Sequence, residues 1–337
     1  AYEGWAGFMV DEGERIRPEA CQSPVWDTGL ALLGLRACGV PAEHPALRKA
    51  ADWLIAEEVT VKGDWAVRRP DLAPGGWAFE FQNDFYPDVD DTAVIALALK
   101  EMGMGEDAVE RALAWVVGMQ SANGGWGACD ADNNADWLYK IPFFDFGAVI
   151  DPPSVDVSAH ALEVLAPLPE HKAAVERGLQ YVLAEQEEDG SWFGRWGVNH
   201  VYGTGAALPA LEACGVPHDH PAVRKAVAWL DSVQHGSGGF GEDILSYADP
   251  AWRGRGTPTP SQTAWALLGY VAAGEERSDA ARRAADFLIS TQRPDGDWDE
   301  EHFTGTGFPL DFMIRYHLYR LHFPLIALGR YRERLAR

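Results

Sequence analysis

Two apolar patterns alternate along the chain. In the first, apolar residues fill most positions: TGLALLGLRACGV (28 to 40), TAVIALALKEMGM (92 to 104), SAHALEVLA (158 to 166), TGAALPALEACGV (204 to 216) and TAWALLGYVAAG (263 to 274). A helix apolar around most of its circumference belongs inside a protein, so each run predicts a buried helix. Each opens on Thr or Ser, or just after Asp, which predicts N-caps at Thr28, Thr92, Ser158, Thr204 and Thr263.

The second pattern is amphipathic and repeats. Arg111-Ala112 leads through Trp115 and Gln120 to Gly124 and Trp126, and the same order recurs from Arg177 through Gln186 and Gly190 to Trp192. It recurs from Lys225 through Gln234 and Gly238 to Phe240, and from Arg283 through Gln292 and Gly296 to Trp298. A degenerate first copy reads from Lys49 through Trp53 to Gly63 and Trp65, with Glu57 in place of Gln. A helix followed by a tight turn suits this pattern: Gly supplies a positive φ, the aromatic folds back, and the Gln amide bonds a neighbouring helix end. These Gln and Trp residues therefore read as scaffold. One amphipathic and one buried helix recur about every 50 to 65 residues, and such pairs stack. The expected architecture is all-α, an α/α toroid (α6–α6 barrel) with the buried helices as its inner ring. Their starting ends converge on one rim. The expected division is a linker, or the end of a preceding domain, over 1–13 and one helical domain over 14–337.

Composition and charge narrow the partners. The 337 residues carry 28 basic and 51 acidic side chains, a net charge of −23, which argues against a phosphate-binding surface and excludes nucleic acid. With 14 Trp, 10 Tyr and 14 Phe the chain can bury a large core. Cys21, Cys38, Cys129 and Cys214 lie far apart with no CxxC, so neither a disulfide framework nor a structural zinc site is expected. The apolar stretch Ala264 to Ala273 falls well short of the roughly 20 residues of a membrane span. The opening AYEGWAGFMV has no initiating Met, basic region or apolar region of a signal peptide, and reads as a cut piece of a longer chain.

The candidate chemistry sits just before buried helices. Asp88, Asp90 and Asp91 in PDVDDT are more carboxylates than a helix cap needs, and crowding keeps a proton on one of them. Asp156 and His160 in DPPSVDVSAH are four apart, on one helical face, where they can hydrogen-bond. Aromatics crowd the same rims, and π faces around a buried acid suit carbocations. DADNNAD (130 to 136) imitates a calcium loop but has Ala135 where Gly is required and Ile141 where the bidentate Glu should stand. No dinucleotide, phosphate-loop or nucleophile-elbow motif is present.

The QxxxGxW repeats, DVDDTAV and GTGFP (305 to 309) together resemble the triterpene cyclases, and the chain from about Ser23 onward is similar to the C-terminal half of bacterial squalene–hopene cyclases. The resemblance implies a class II cyclase that protonates a terminal alkene of squalene or a related polyprene, with no metal and no cofactor. It makes Asp90 the proton donor, flanked by Asp88 and Asp91, and pairs Asp156 with His160. It places Trp26, Phe79, Trp196, Tyr202, Phe308, Phe312, Tyr316 and Tyr319 on the cavity wall, and Phe143, Phe144 and Phe146 at the substrate entrance. Cys129 stands where hopene-forming members carry Tyr. The family's N-terminal α-barrel domain is missing from this chain, and a peripheral, monotopic contact with the cytoplasmic face of the membrane is implied, with such a domain or a homodimer as partner. Two alternatives stay open: an α/α-toroid glycosidase, disfavoured by the aromatic surroundings, and a non-catalytic toroidal interaction module. A prenyltransferase-like subunit would need an Asp, Cys and His zinc set, which is lacking at the buried-helix starts.

Overall fold

The computed structural model describes residues 9–11, 13, 16–18, 22–81, 83–141 and 149–337. It is mostly helical. The apolar runs form α1 (Pro24–Ala37), α3 (Val89–Met102), α5 (Val155–Leu165), α7 (His200–Ala213) and α9 (Pro260–Ala272), joined by α11 (Tyr319–Ala336). The amphipathic copies form α2 (Pro45–Ala56), α4 (Glu106–Gly118), α6 (Lys172–Ala184), α8 (Pro221–Val233) and α10 (Asp279–Thr291). Each apolar helix packs on the next, α1 on α3 through to α9 on α11, and α11 returns onto α1. Each amphipathic helix lies against the apolar helix before it. The body is as helical as expected, but two short antiparallel hairpins were not anticipated. Met9–Asp11 (β1) pairs with Ile16–Pro18 (β2), and Gly305–Phe308 (β3) with Phe312–Ile314 (β4).

The buried helices start earlier than the sequence suggested. Their N-caps are Ser23, Asp88, Ser154, Asn199 and Thr259. The hydroxyls expected to cap lie inside the helices; Thr28 donates to the Pro24 carbonyl at 2.6 Å, and the other four serve the repeat instead. Thr92, Ser158, Thr204 and Thr263 each accept the backbone N–H of a repeat aromatic: Trp77 at 2.9 Å, Trp126 at 2.9 Å, Trp192 at 3.1 Å and Phe240 at 2.9 Å. Such a hydroxyl satisfies a donor that would otherwise be buried unpaired, at a cost of about 1–3 kcal/mol.

The first repeat copy also needs correction, because its aromatic is Trp77 and not Trp65. Trp126, Trp192 and Trp298 each donate Nε1–H to a helix carbonyl ten residues back, that of Val116, Val182 or Leu288. Trp77 makes the same bond to Leu54 across 23 residues. An insertion had hidden the register. Trp65 instead meets Trp115 edge-on, with ring centroids 5.7 Å apart.

The repeat Gln residues behave as scaffold. Gln120, Gln186 and Gln234 each donate to the carbonyl of their own turn's Gly and to one near the start of the next amphipathic helix, Ala174, Ala222 or Ala280. At about 1 kcal/mol net per bond, each contributes roughly 2 kcal/mol. Gly124, at φ +94°, shows why Gly ends the copy: a Cβ there would also stand 2.6 Å from the Arg177 carbonyl oxygen of the next helix.

Repeat aromatics bridge to the next N-cap, Trp77 to Asp88, Trp126 to Ser154 and Phe240 to Thr259, which ties the start of each of those buried helices to the turn before it. Among the described residues Cys38, Cys129 and Cys214 are free thiols, and no helix is long and apolar enough to cross a membrane.

Candidate active site

The Asp triplet straddles the start of α3, and the three carboxylates do different work. Asp88 is the N-cap: its Oδ1 accepts the Asp91 backbone N–H at 2.7 Å. For this residue the plain capping role is real. Asp90 and Asp91 lie in the first turn, and all three are buried. Burial raises Asp91 well above the usual carboxylate range, and the facing Asp88 raises it further. Burial raises Asp88 as well, though its bonds to Asp91 pull the other way. The pair therefore shares a proton that Asp91 keeps, as crowding requires.

His160 lies on α5, one turn after Asp156, and its Nδ1 sits 2.5 Å from Asp90 Oδ1. Burial alone would lower its pKa, but the Asp90 charge and hydrogen bond, with Glu163 and Asp156 behind, push it up to about 9. The imidazole is thus charged at neutral pH.

The expected Asp156–His160 hydrogen bond is replaced by others. Asp156 is fully buried, and its Oδ1 accepts the Ser154 hydroxyl at 2.5 Å and the Val157 N–H at 3.1 Å. Its Oδ2 accepts the Trp196 N–H at 2.7 Å. Helical spacing put Asp156 and His160 on one face, but the partners came from other segments. Asp156 acts on His160 through its charge.

Asp88, Asp90 and Asp91 open onto a cavity of about 240 Å³ whose wall includes Trp26, Phe79, Cys129, Trp196, Tyr202, Phe308, Phe312, Tyr316 and Tyr319. Trp26 and Tyr202 flank His160, with ring centroids 6.2 and 6.4 Å away. Trp26 donates Nε1–H to the Tyr319 hydroxyl at 2.9 Å, Tyr319 stacks on Tyr316 at 4.2 Å, and Tyr316 meets Phe79 edge-on at 6.2 Å. The β3–β4 hairpin brings in Phe308 and Phe312. Phe81, two residues after Phe79, stays outside the cavity: it is exposed and meets Trp53. Phe143, Phe144 and Phe146 lie outside the described residues.

Cys129 holds a wall position, and burial raises its thiol well above the ordinary range, so it is a thiol and a poor nucleophile. Its backbone N–H donates to Asp151 Oδ2 at 2.6 Å. Asp151 stands behind the wall and was visible only as a neighbour of Asp156, whereas Asn83, Tyr86 and Ile314 line the cavity without any sequence signal. They belong to a loop and to strand β4, outside the repeat, where spacing carries no information. Among the described residues no group of three His, Cys, Asp or Glu side chains is placed to hold a metal ion.

A buried acid cluster, an imidazolium on one of its carboxylates and a wall of π faces can deliver a proton to an apolar molecule and stabilise the cation that results. The family model described as squalene-hopene cyclase C-terminal domain matches residues 22–333. The squalene–hopene cyclase of Alicyclobacillus acidocaldarius is 53% identical over 347 residues, covering 99% of this chain and 55% of that protein. That of Zymomonas mobilis is 48% identical over 339 residues, covering 96% of this chain and 51% of that protein. The chain spans about half the length of these curated relatives. The apo structure of the type II terpene cyclase MstE from Scytonema superposes with a TM-score of 0.62 at 19% identity, covering 97% of this chain and 92% of that one, a likeness of fold. On the extent of the family match, the chain belongs to the squalene–hopene cyclase C-terminal domain family.

Proposed function

We propose that this chain is the acid-bearing C-terminal half of a class II isoprenoid cyclase that protonates a terminal alkene of squalene or a related polyprene and closes it to a hopene-like polycycle. The observation that carries the reading is the 2.5 Å contact between Asp90 and the charged His160 at the edge of an aromatic cavity. In the resting pair Asp90 is the carboxylate partner of the imidazolium through Oδ1; for turnover its second oxygen takes up a proton and passes it to the alkene, and the imidazolium stabilises the carboxylate that is regenerated. Trp26, Tyr202 and Phe312 present faces to the growing cation, each worth about 0.5–2 kcal/mol. The apolar wall offers a sugar few polar partners, which disfavours the glycosidase reading. A merely structural toroid would not need an imidazolium on Asp90.

The packing order of the apolar helices supports an α/α toroid with six inner helices. We place the boundary of the helical domain near residue 14, with an N-terminal cyclase domain ahead of it and contact with the cytoplasmic face of a membrane from one side, as a monomer or a homodimer. Incubating the full-length protein with squalene and analysing the products tests the activity; recovery of unchanged squalene alone would refute it.

Two further outcomes are expected. The acid cluster makes a poor metal site, because Asp91 keeps a proton, Asp88 caps a helix and Asp90 is bonded to His160, whereas ligands must be deprotonated and free. Turnover should therefore survive EDTA, and a strict Mg²⁺ requirement would instead favour a synthase that starts by ionising a diphosphate. Cys129 takes the place of an electron-rich Tyr, removing about 1 kcal/mol of cation stabilisation, or roughly fivefold in partitioning. Partly cyclised products should accompany any pentacycle, and Cys129→Tyr should raise the ratio of pentacyclic to partly cyclised product about fivefold. An unchanged product ratio would show that the position does not touch the cation.

A further inference from the structure

The turn at 194–197 joins the two halves of the site. Its Trp196 N–H holds Asp156 Oδ2 at 2.7 Å on the acid side. Its other edge pairs with the hairpin: the Trp196 carbonyl accepts the Thr306 N–H at 3.1 Å, and Val198 N–H donates to the Thr304 carbonyl at 2.9 Å. Gly194 and Gly197 bracket the turn, and within it Arg195 donates to the Ile150 carbonyl at 3.2 Å and lies over the Trp196 ring at 5.5 Å, contacts that leave the two glycine ends unheld. The bracing comes from behind, from a short 3₁₀ turn over Ile244–Tyr247. The Tyr247 hydroxyl lies 2.8 Å from both the Gly194 and the Gly197 carbonyl oxygens, so its one proton bridges the two ends of the turn. Beside it, the Ser246 hydroxyl accepts from Asn199 Nδ2 at 3.2 Å, while Asn199 Oδ1 accepts the Gly194 N–H at 3.3 Å. Tyr247 is not on the cavity wall.

We propose that Tyr247 is a positioning residue for the proton donor: by clamping the 194–197 turn it aims the Trp196 N–H at Asp156, and so fixes the charge that stands behind the His160–Asp90 pair. The inference rests on the proposed cyclase reading and extends it to a residue the reaction does not touch. A phenol is suited to this, because it reaches two carbonyls with one rigid side chain and brings no charge into a site already crowded with carboxylates.

Tyr247→Phe in the full-length protein removes the clamp while keeping the ring. The expected result is a kcat about tenfold lower with KM within about twofold, since one lost hydrogen bond acts on the proton transfer and not on the apolar contacts that bind substrate. In the Asp156→Asn background the same substitution should add little, because its route of action is already gone. An equal additional loss there would overturn the proposal and leave Tyr247 as structural support. Should Asp156→Asn leave no measurable turnover, the proton NMR resonance of the short His160–Asp90 hydrogen bond decides. It should shift in Tyr247→Phe, and an unchanged resonance would overturn the proposal. Ser246→Ala, which loosens the same turn through Asn199, takes the place of Tyr247→Phe in both measurements if that variant does not fold. Absence of squalene turnover by the unmodified protein would refute the cyclase reading instead, and the resonance would still report on the clamp.

Discussion

Asp90→Asn should lower cyclisation by roughly 10³-fold or more, the upper part of the range for losing a positioned general acid. The substitution is nearly isosteric, and the Asn amide oxygen can still accept from Nδ1–H of a neutral His160, so the packing of α3 against α5 has no reason to change. An amide has no proton acidic enough for an alkene. The expected outcome is therefore a folded protein with a melting temperature within a few degrees of the parent and almost no product. The checks are product analysis by chromatography and a melting curve on the same sample. Activity above a tenth of the parent would remove Asp90 from the role of donor, and the neighbouring Asp91, which holds the shared proton with Asp88, would become the residue to test.

Raising the pH should cost both activity and stability through His160. Its folded pKa, about 9, lies above its ordinary value of 6.5, so folding favours the protonated ring. A group shifted in this direction contributes its full stabilisation below pH 6.5 and loses it as the pH climbs to about 9, a difference of about 3 kcal/mol. The charges that hold the ring protonated are Asp90, Glu163 and Asp156. Denaturant unfolding between pH 6 and 10 should show this loss, and His160→Gln should lack it, while kcat of the parent falls over the same interval as the imidazolium disappears. Superimposable stability curves for the parent and His160→Gln would contradict the assignment. The raised carboxyls of Asp88 and Asp91 have the same sign, so the comparison with the variant is needed to isolate the histidine.

The acid cluster and the scaffold were legible in the sequence for different reasons. Apolar runs and a repeat of five residue types at constant offsets report burial and helix–turn geometry directly, because period and spacing are local properties. That was enough to find the buried helices, to assign Gln120, Gln186 and Gln234 to the scaffold, and to place Asp90 at the start of one buried helix and His160 on the next. It failed where an insertion broke the spacing, as at Trp77, and where hydroxyls such as Thr92 and Ser158 found partners better than their own helix ends. The identity of the cavity aromatics came from resemblance to a family and not from any period.

Which groups meet depends on the packing of distant segments. Asp156 and His160 share a helical face, yet the ring bonds to Asp90, 70 residues away, and the carboxylate to Trp196, 40 residues away. The cavity wall draws on the β3–β4 hairpin and on α11, neither of which the repeat announces. Tyr247 had no signal at all. The periodic elements and the residue types that could be buried are readable along the chain, since each follows from neighbours a few positions apart. The pairing of buried polar groups is a competition among all donors and acceptors that the fold brings within reach, and a buried carboxylate is satisfied by whichever of them arrives with the best geometry.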